Sequence, residues 1–167
     1  MGHTLNSFAA DCHRILAADP GPAGREQVCH LLRDVLRDGD FVATHLPDNG
    51  PERKVLYEDP ELGFCILAHV NRDAKGSKPH DHGPSWAIYG QAAGRTVMTD
   101  WECLARPGEG KPGRARALRD YALEPGMAHL YNEGVLHSPR RDGPTKLVRL
   151  EGVNMDRVTR QPYEAVG

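Results

Sequence analysis

The chain has 167 residues, of which 26% are charged and 39% hydrophobic, with a formal net charge of −2. This length fits one folded unit over residues 1–167, and the nearly balanced charge argues against nucleic acid as a partner. The apolar runs are short and no basic stretch precedes a long hydrophobic one, so we expect no membrane span, no secretory signal and a cytoplasmic location.

Two helices are predicted at the N-terminus. Apolar residues recur at helical spacing from Leu5 to Leu16, and the Pro/Gly-rich segment 19–22 then stops the pattern. A second apolar stripe continues to Leu36 on a helix that begins near Pro22, a residue suited to a first turn. Residues 38–40 are expected to end this helix, so residues 1–40 form an N-terminal helical region.

From residue 41 onward the pattern changes to short segments rich in Val, Ile, Leu and Tyr that are separated by turn residues. Strands with turns at intervals of about ten residues predict a mainly β sandwich or small barrel over residues 41–167. The Gly/Pro-rich segment 105–114 predicts a hairpin loop, because neither side of it could form a full core alone. The predicted strands are Lys54–Tyr57, Gly63–Val70, Ser85–Gly90, Arg95–Leu104, Ala115–Leu123, Ala128–Tyr131 and Lys146–Gly152.

The cysteines are far apart and form no Cys-x-x-Cys pair, which argues against a structural zinc site. Burial as free thiols is the expected state of these residues. They are Cys12, Cys29, Cys65 and Cys103.

A metal site is predicted at His80 and His82. On an extended segment their side chains point the same way, so both imidazoles can reach one ion. Chance could place two of nine histidines so, but a turn before the pair and an apolar strand after it, ending at Gly90, favour a site. Asp81 points the opposite way, and we expect it to brace the turn or an outer histidine.

A third ligand could come from His129 or His137. His129 precedes the end of a predicted strand, where it would be a barrel residue close to the site. His137 stands between Gly134 and Pro139, which would suit a turn on the surface equally well. Local chemistry alone leaves the choice open.

At these residues the chain resembles the cupin superfamily, whose small barrels bind a metal through His-x-His and a later histidine. The acid that usually follows the pair is missing here, which leaves three histidines and resembles the cysteine dioxygenase group of thiol dioxygenases. The shared elements, in order, are an N-terminal helical region, a basic residue on an early strand, Gly63-Phe64, His80-Asp81-His82 and Gly134-Val135-Leu136-His137. The similarity covers about residues 50–153.

The resemblance implies a single cupin domain with His80, His82 and His137 as metal ligands. It implies ferrous iron, or another first-row divalent metal, and an enzyme that oxidises a small thiol-bearing acid to a sulfinate with O2. Ala87 occupies the position of a cross-linked cysteine in some members, so no Cys–Tyr cross-link is expected, and Trp86-Ala87 resembles the bacterial mercaptopropionate type.

The resemblance also implies substrate-binding residues. In the group an arginine on the early strand binds the substrate carboxylate, and this position falls on Arg53 or Lys54. Trp86 is expected to exclude water, with Tyr89 or Arg140 beside the polar end of the substrate.

The last strand departs from the group, because Arg149-Leu150-Glu151 stands where the group has Ser-x-His-x-Tyr. Alternation sends Arg149 and Glu151 to one face. If that face lines the pocket, Arg149 is a substrate-binding residue, Glu151 supports the site and the substrate is not cysteine. If it faces water, the two form an ordinary surface pair.

Two alternatives from other classes remain open. A cupin with these ligands could act on a diketone, cleave an aromatic ring or catalyse isomerase or lyase chemistry without oxygen. The barrel could instead be a non-catalytic module that binds a metabolite or a metal. An edge strand or the N-terminal helices could form a homodimer interface.

Overall fold

The computed structural model describes residues 2–167 and shows three helices followed by two five-stranded sheets. The helices are α1 (Leu5–Ala18), α2 (Pro22–Leu36) and α3 (Gly39–His45). The strands are β1 (Lys54–Glu58), β2 (Cys65–Asn71), β3 (Lys75–Gly76), β4 (Ala87–Ala93), β5 (Thr96–Ala105), β6 (Gly113–Leu123), β7 (Ala128–Tyr131), β8 (His137–Arg141), β9 (Thr145–Glu151) and β10 (Tyr163–Val166), with a short 3-10 helix at Met155–Arg157. The expected class, a mainly β small barrel preceded by helices, is confirmed.

The two sheets are formed by strands that are distant in sequence. The first has the order β1-β2-β9-β4-β7, and the second has the order β10-β6-β5-β8-β3. In the first sheet the late strand β9 lies between β2 and β4, where Arg149 pairs with Leu67 on one side and Tyr89 on the other. This register places side chains from three chain segments side by side on the inner face of the sheet.

The helices cover the outer face of the first sheet. A capping box at Thr4 starts α1, and Pro22 lies in the first turn of α2, as a residue without an N–H can. Apolar side chains of both helices pack against alternate strand residues such as Ile66, Val148 and Leu150. Burial of this shared face is what holds the helices on the barrel.

The space between the sheets is divided into an apolar part and a polar part. Met98 and Leu123 of the second sheet pack there against Tyr131 and Leu147 of the first. The other part contains polar and charged side chains, and two of them, His69 and Glu151, are buried. Burial of charged groups is costly unless they are paired or bind a ligand, so this polar part is where function is expected.

Several elements differ from the prediction. The segment 38–40 was expected only to end the second helix, but Asp38 also caps α3, because its side chain accepts hydrogen bonds from the N–H groups of Asp40 and Phe41. The strands β3, β8 and β10 were not predicted. The hairpin loop predicted at 105–114 is present and spans residues 106–112 between β5 and β6, with a bridge between Gly108 and Lys111.

All four cysteines are free; Cys12, Cys29 and Cys65 are buried, as expected, whereas Cys103 is exposed. Among residues 2–167, no helix combines the length and the apolar character needed to cross a membrane.

Candidate metal centre

His80 and His137 lie directly opposite each other on neighbouring backbone segments. Each donates its backbone N–H to the carbonyl of the other, at N···O distances of 3.0 and 2.9 Å. Residues paired in this way present their side chains on the same face of a sheet. The pairing therefore brings together two histidines from distant parts of the chain.

His82 joins them through a tight turn. The carboxylate of Asp81 accepts a hydrogen bond from the backbone N–H of Gly83 at 2.9 Å, and Gly83 adopts a φ of +58°, which a side chain would strain. The N–H of Ser85 then donates to the carbonyl of His82 at 3.0 Å. Asp81 thus braces this turn, one of the two roles expected for it, and the turn directs His82 toward the other two histidines.

The ring nitrogens of the three histidines converge. His82 Nε2 lies 3.0 Å from His137 Nε2, and one possible ligand atom from each of the three rings lies within 4.8 Å of the others. His80 Nδ1 donates to the carbonyl of Lys78 and His137 Nδ1 to that of Val135, both at 2.9 Å. Because Nδ1 carries the hydrogen in these two rings, each Nε2 keeps a lone pair for a metal.

Burial keeps all three rings neutral. Burial lowers the pKa of His80 from 6.5 to about 4. Burial also lowers the pKa values of His82 and His137 far below the usual 6.5 of a histidine. The positive charge of nearby Arg149 acts in the same direction on the pKa of all three. Neutral imidazole is the form that binds a metal ion.

This donor set fits a divalent metal ion. Lone pairs on Nε2 of His82 and His137 would repel each other at 3.0 Å unless a proton or a cation lay against both. The separation suits two nitrogens that contact one ion at about 2.0–2.1 Å. His82 Nδ1 is buried and has no hydrogen-bond partner within residues 2–167. His80, His82 and His137 would hold the ion, and imidazole suits several first-row metals.

A cavity of about 440 Å³ opens beside this cluster and is lined by His80 and His82 among others. Its walls come from both sheets and from the C-terminal segment. Cations outnumber acids on these walls, so the cavity is a positively charged environment. The charged lining residues are the cations Arg53, Lys75, Arg141, Arg149 and Arg160 and the acids Glu52, Glu151 and Asp156.

Arg53 and Glu151, both predicted site residues, line the cavity and bind each other. Arg53 Nη1 donates to Glu151 Oε1 at 2.9 Å, and Arg53 Nε lies 3.2 Å from Asp156 Oδ1. Burial is the largest single influence on the pKa of Arg53 and lowers it. The carboxylates of Glu151 and Asp156 together outweigh this effect and raise the pKa above its usual value. The charge of Arg53 is therefore balanced by the protein's own acids.

Arg149 and Tyr89 line the cavity next to the histidines. The guanidinium carbon of Arg149 lies 4.2 Å from the centre of the Tyr89 ring, which allows a cation–π contact. The Tyr89 hydroxyl lies 3.2 Å from Nε2 of His82 and 3.2 Å from Nε2 of His137. Burial raises the pKa of Tyr89, so it stays protonated. Arg149 and Glu151 therefore both face the cavity, which was the first of the two arrangements considered for them.

Three predicted residues lie away from the cavity. Lys54 is exposed on β1, where alternation turns it from the inner face. Trp86 packs in the core on the helical side, with the Arg25 guanidinium 5.6 Å from its ring centre, so it does not close the cavity as expected. Arg140 is exposed beside Asp142, because its neighbour Arg141 takes the inner face.

His129 is not part of the metal cluster. Its ring centre lies 4.6 Å from that of Tyr131, which in turn stacks on His137 at 4.1 Å. Tyr131 thus separates the two histidines. Of the two candidates for the third position, the structure brings His137 to His80 and His82.

Several residues of the cavity were not predicted from the sequence, among them His69, Arg141 and Arg160. His69 could have been found, because alternation along its predicted strand places it on the inner face with Leu67. Arg141 lies four residues after His137 on the same face of β8, but Pro139 argued against a strand there. Arg160 follows no local pattern, and only the course of the C-terminal segment brings it to the cavity.

Comparisons with known proteins add similarity of structure only. No protein-family model and no curated protein matches the chain. A cupin superfamily protein from Desulfitobacterium hafniense is similar over 64% of this chain and 80% of its own, at 13% identity and a TM-score of 0.45. KdgF from Halomonas sp. is similar over 64% of this chain and 82% of its own, at 16% identity and a TM-score of 0.47. A cupin-2 domain protein from Shewanella frigidimarina is similar over 59% of this chain and 76% of its own, at 13% identity and a TM-score of 0.41. Values this low transfer no activity to this chain.

Proposed function

We propose that this protein is a metal-dependent dioxygenase of the cupin type that oxidises a small thiol-bearing acid to a sulfinate. The observation that carries the proposal is the convergence of His80, His82 and His137, all neutral and buried or nearly so, beside a cavity with a cationic wall. The expected reaction is RS⁻ + O2 → RSO2⁻, in which both oxygen atoms reach the sulfur and the sulfur gives up four electrons.

Ferrous iron is the metal we propose first, since three imidazoles leave it with its full charge and with open positions for substrate and dioxygen. The residues His80, His82 and His137 would hold it. Tyr89 contributes a neutral hydroxyl donor beside two of these ligands, because burial keeps its proton in place. The low exposure of His82 (4%) and His137 (0%) limits the access of water to this end of the cavity.

The charges on the wall favour a substrate with an acid and without an amine. The acid that could meet an ammonium group, Glu151, is already bound to Arg53. Arg149 has no acid within ion-pair distance in the part of the chain that the structure describes, so it would attract a carboxylate and repel an ammonium. A mercapto acid therefore suits the cavity better than cysteine does.

The test is oxygen consumption by protein loaded anaerobically with ferrous iron, measured with 3-mercaptopropionate, mercaptosuccinate, cysteine, cysteamine and acetylacetone. We expect uptake with a mercapto acid, one O2 per sulfinate formed, and little with cysteine. The His137→Ala variant should be silent, whereas His129→Ala, which changes a histidine outside the cluster, should retain the activity.

The outcome of this assay distinguishes the alternative reactions. Uptake with acetylacetone but with no thiol would replace the thiol reaction by carbon–carbon cleavage. No uptake with any compound, in protein shown to hold one iron per chain, would contradict the dioxygenase proposal and leave a metal site of another kind.

A further inference from the structure

The cavity contains more positive charge than its own acids balance. Five lining residues are cations and three are acids, an excess of two charges. Each acid is within ion-pair distance of a cation that is not Arg141 or Arg149: Glu151 and Asp156 bind Arg53, and Glu52 lies 3.6 Å from Lys75. Arg160 is exposed and donates to the carbonyl of Asp81.

Apart from the exposed Arg160, the cavity arginines without a carboxylate partner among residues 2–167 are Arg141 and Arg149. Arg141 is only 7% exposed, and Nε of both side chains is buried with no hydrogen-bond partner in the described chain. Buried guanidinium groups are normally paired, since removing a charge from water is costly. Arg141 on β8 and the half-buried Arg149 on β9 line the same cavity from different sheets, so a bound anion is the expected partner of both.

The neighbourhood supports this interpretation. Arg141 and Arg149 line the same cavity, and burial together with the charge of Arg149 lowers the pKa of Arg141. Burial and the charges of Arg149, Arg53 and Arg141 hold the pKa of His69 well below 6.5, so this buried ring stays neutral and leaves the charge excess of the cavity unchanged. An anion placed between the arginines would relieve the repulsion.

We propose that Arg141 and Arg149, one from each sheet, form an anion subsite in the cavity, and that its ligand is the carboxylate end of a small dicarboxylic acid. Arginine matches a carboxylate through two parallel N–H···O bonds, and the excess of two charges favours two carboxylates over one. Arg149 also contacts Tyr89, whose hydroxyl reaches His82 and His137, so the subsite and the metal ligands are separated by about one phenol ring. Resting on the proposed function, this makes the substrate a thiol-bearing dicarboxylic acid.

Binding of succinate to the metal-free protein tests the subsite without any catalysis. Isothermal titration should show that succinate binds, and that butyrate, which has one carboxylate on a chain of similar length, binds about tenfold or more weakly. Arg141→Gln and Arg149→Gln should each weaken succinate binding by about tenfold to a hundredfold. Arg140→Gln is the matched control, because it changes the exposed neighbour of Arg141 and should bind like the wild type.

The conservative variants Arg141→Lys and Arg149→Lys keep the positive charge, so they distinguish a specific loss of binding from a loss of the fold. They should give the circular dichroism spectrum of the wild type and bind succinate with intermediate strength. Equal binding of succinate and butyrate, wild-type binding in Arg141→Gln, or no binding of succinate by the wild type would each overturn the proposal.

The subsite and the proposed function can fail separately. Succinate binding that depends on both arginines, without oxygen uptake for any thiol, would leave the subsite in place and remove the dioxygenase. Oxygen uptake that is faster with 3-mercaptopropionate than with mercaptosuccinate, and that Arg141→Gln does not change, would support the dioxygenase and contradict the subsite.

Discussion

Arg53 Nη1 donates to Glu151 Oε1 at 2.9 Å, and the Glu151 side chain is 1% exposed. The pair joins the segment before β1 to the end of β9. Arg53, which the sequence suggested as a substrate-binding residue, is thus bound to a carboxylate of the protein itself. A buried carboxylate requires such a partner. The pair therefore has a structural role, and the substrate is left to other cations.

Removal of either member of this pair should destabilise the fold. Glu151→Ala and Arg53→Ala should each lower the free energy of unfolding by about 3 kcal/mol, because one buried or half-buried charge is left unpaired. Urea unfolding of both variants and of the double variant measures the coupling. Glu102→Ala, which breaks an exposed pair with Arg116, is the control and should cost less than about 1 kcal/mol. Additive effects of the two cavity variants would contradict a direct pairing.

Metal binding should depend on the three clustered histidines and on no other histidine near them. His80→Ala and His82→Ala should weaken metal binding by more than about a hundredfold, since each removes a ligand. His129→Ala should bind as the wild type does. Metal content after dialysis and the rise in Tm on addition of metal are the measurements. Retained metal in both ligand variants would show that the ion lies elsewhere.

The metal-free protein should become less stable as the pH falls from about 6.5 to about 4. In this window the unfolded chain binds protons on His80 that the folded chain does not, because burial lowers the pKa of His80 to about 4. His82 and His137 act in the same direction, whereas His13, whose pKa a hydrogen bond to Asp59 raises, acts in the opposite one. Urea unfolding at several pH values measures this dependence, and His137→Gln should reduce it. Stability that rises on acidification would contradict the assignment.

A side chain at position 90 should disturb the contact between α2 and the first sheet. A Cβ there would lie 2.7 Å from Leu32 and 3.0 Å from Leu36, so Gly90→Ala should lower the free energy of unfolding by about 1–3 kcal/mol. Gly143→Ala is the control, because no atom lies within 4 Å of its added Cβ. Equal urea midpoints for the two variants would show that the helices do not pack as described.

Strand alternation accounts for the parts of the site that were predictable. Predicted strands between Lys54 and Gly152 agree with β1, β2, β4, β5, β6, β7 and β9 within three residues at each end, since each has a period of two and flanking turn residues. The same period put Arg149 and Glu151 on one face. Local pattern failed at β8, where Pro139 suggested a turn, and at α3, where the stop signal at Asp38 is also a cap.

By itself, the sequence determined the fold class, the His80-x-His82 pair and the shared face of Arg149 and Glu151, because each depends on neighbours within a few residues. Only the tertiary structure decided that His137 joins the pair, that Arg53 is bound to Glu151, and that Arg141 and Arg149 have no acid partner among residues 2–167. These facts depend on which distant strands lie side by side. Periodicity orients a side chain relative to its own strand, but only the register between strands sets the distances over which charges and ligand atoms interact.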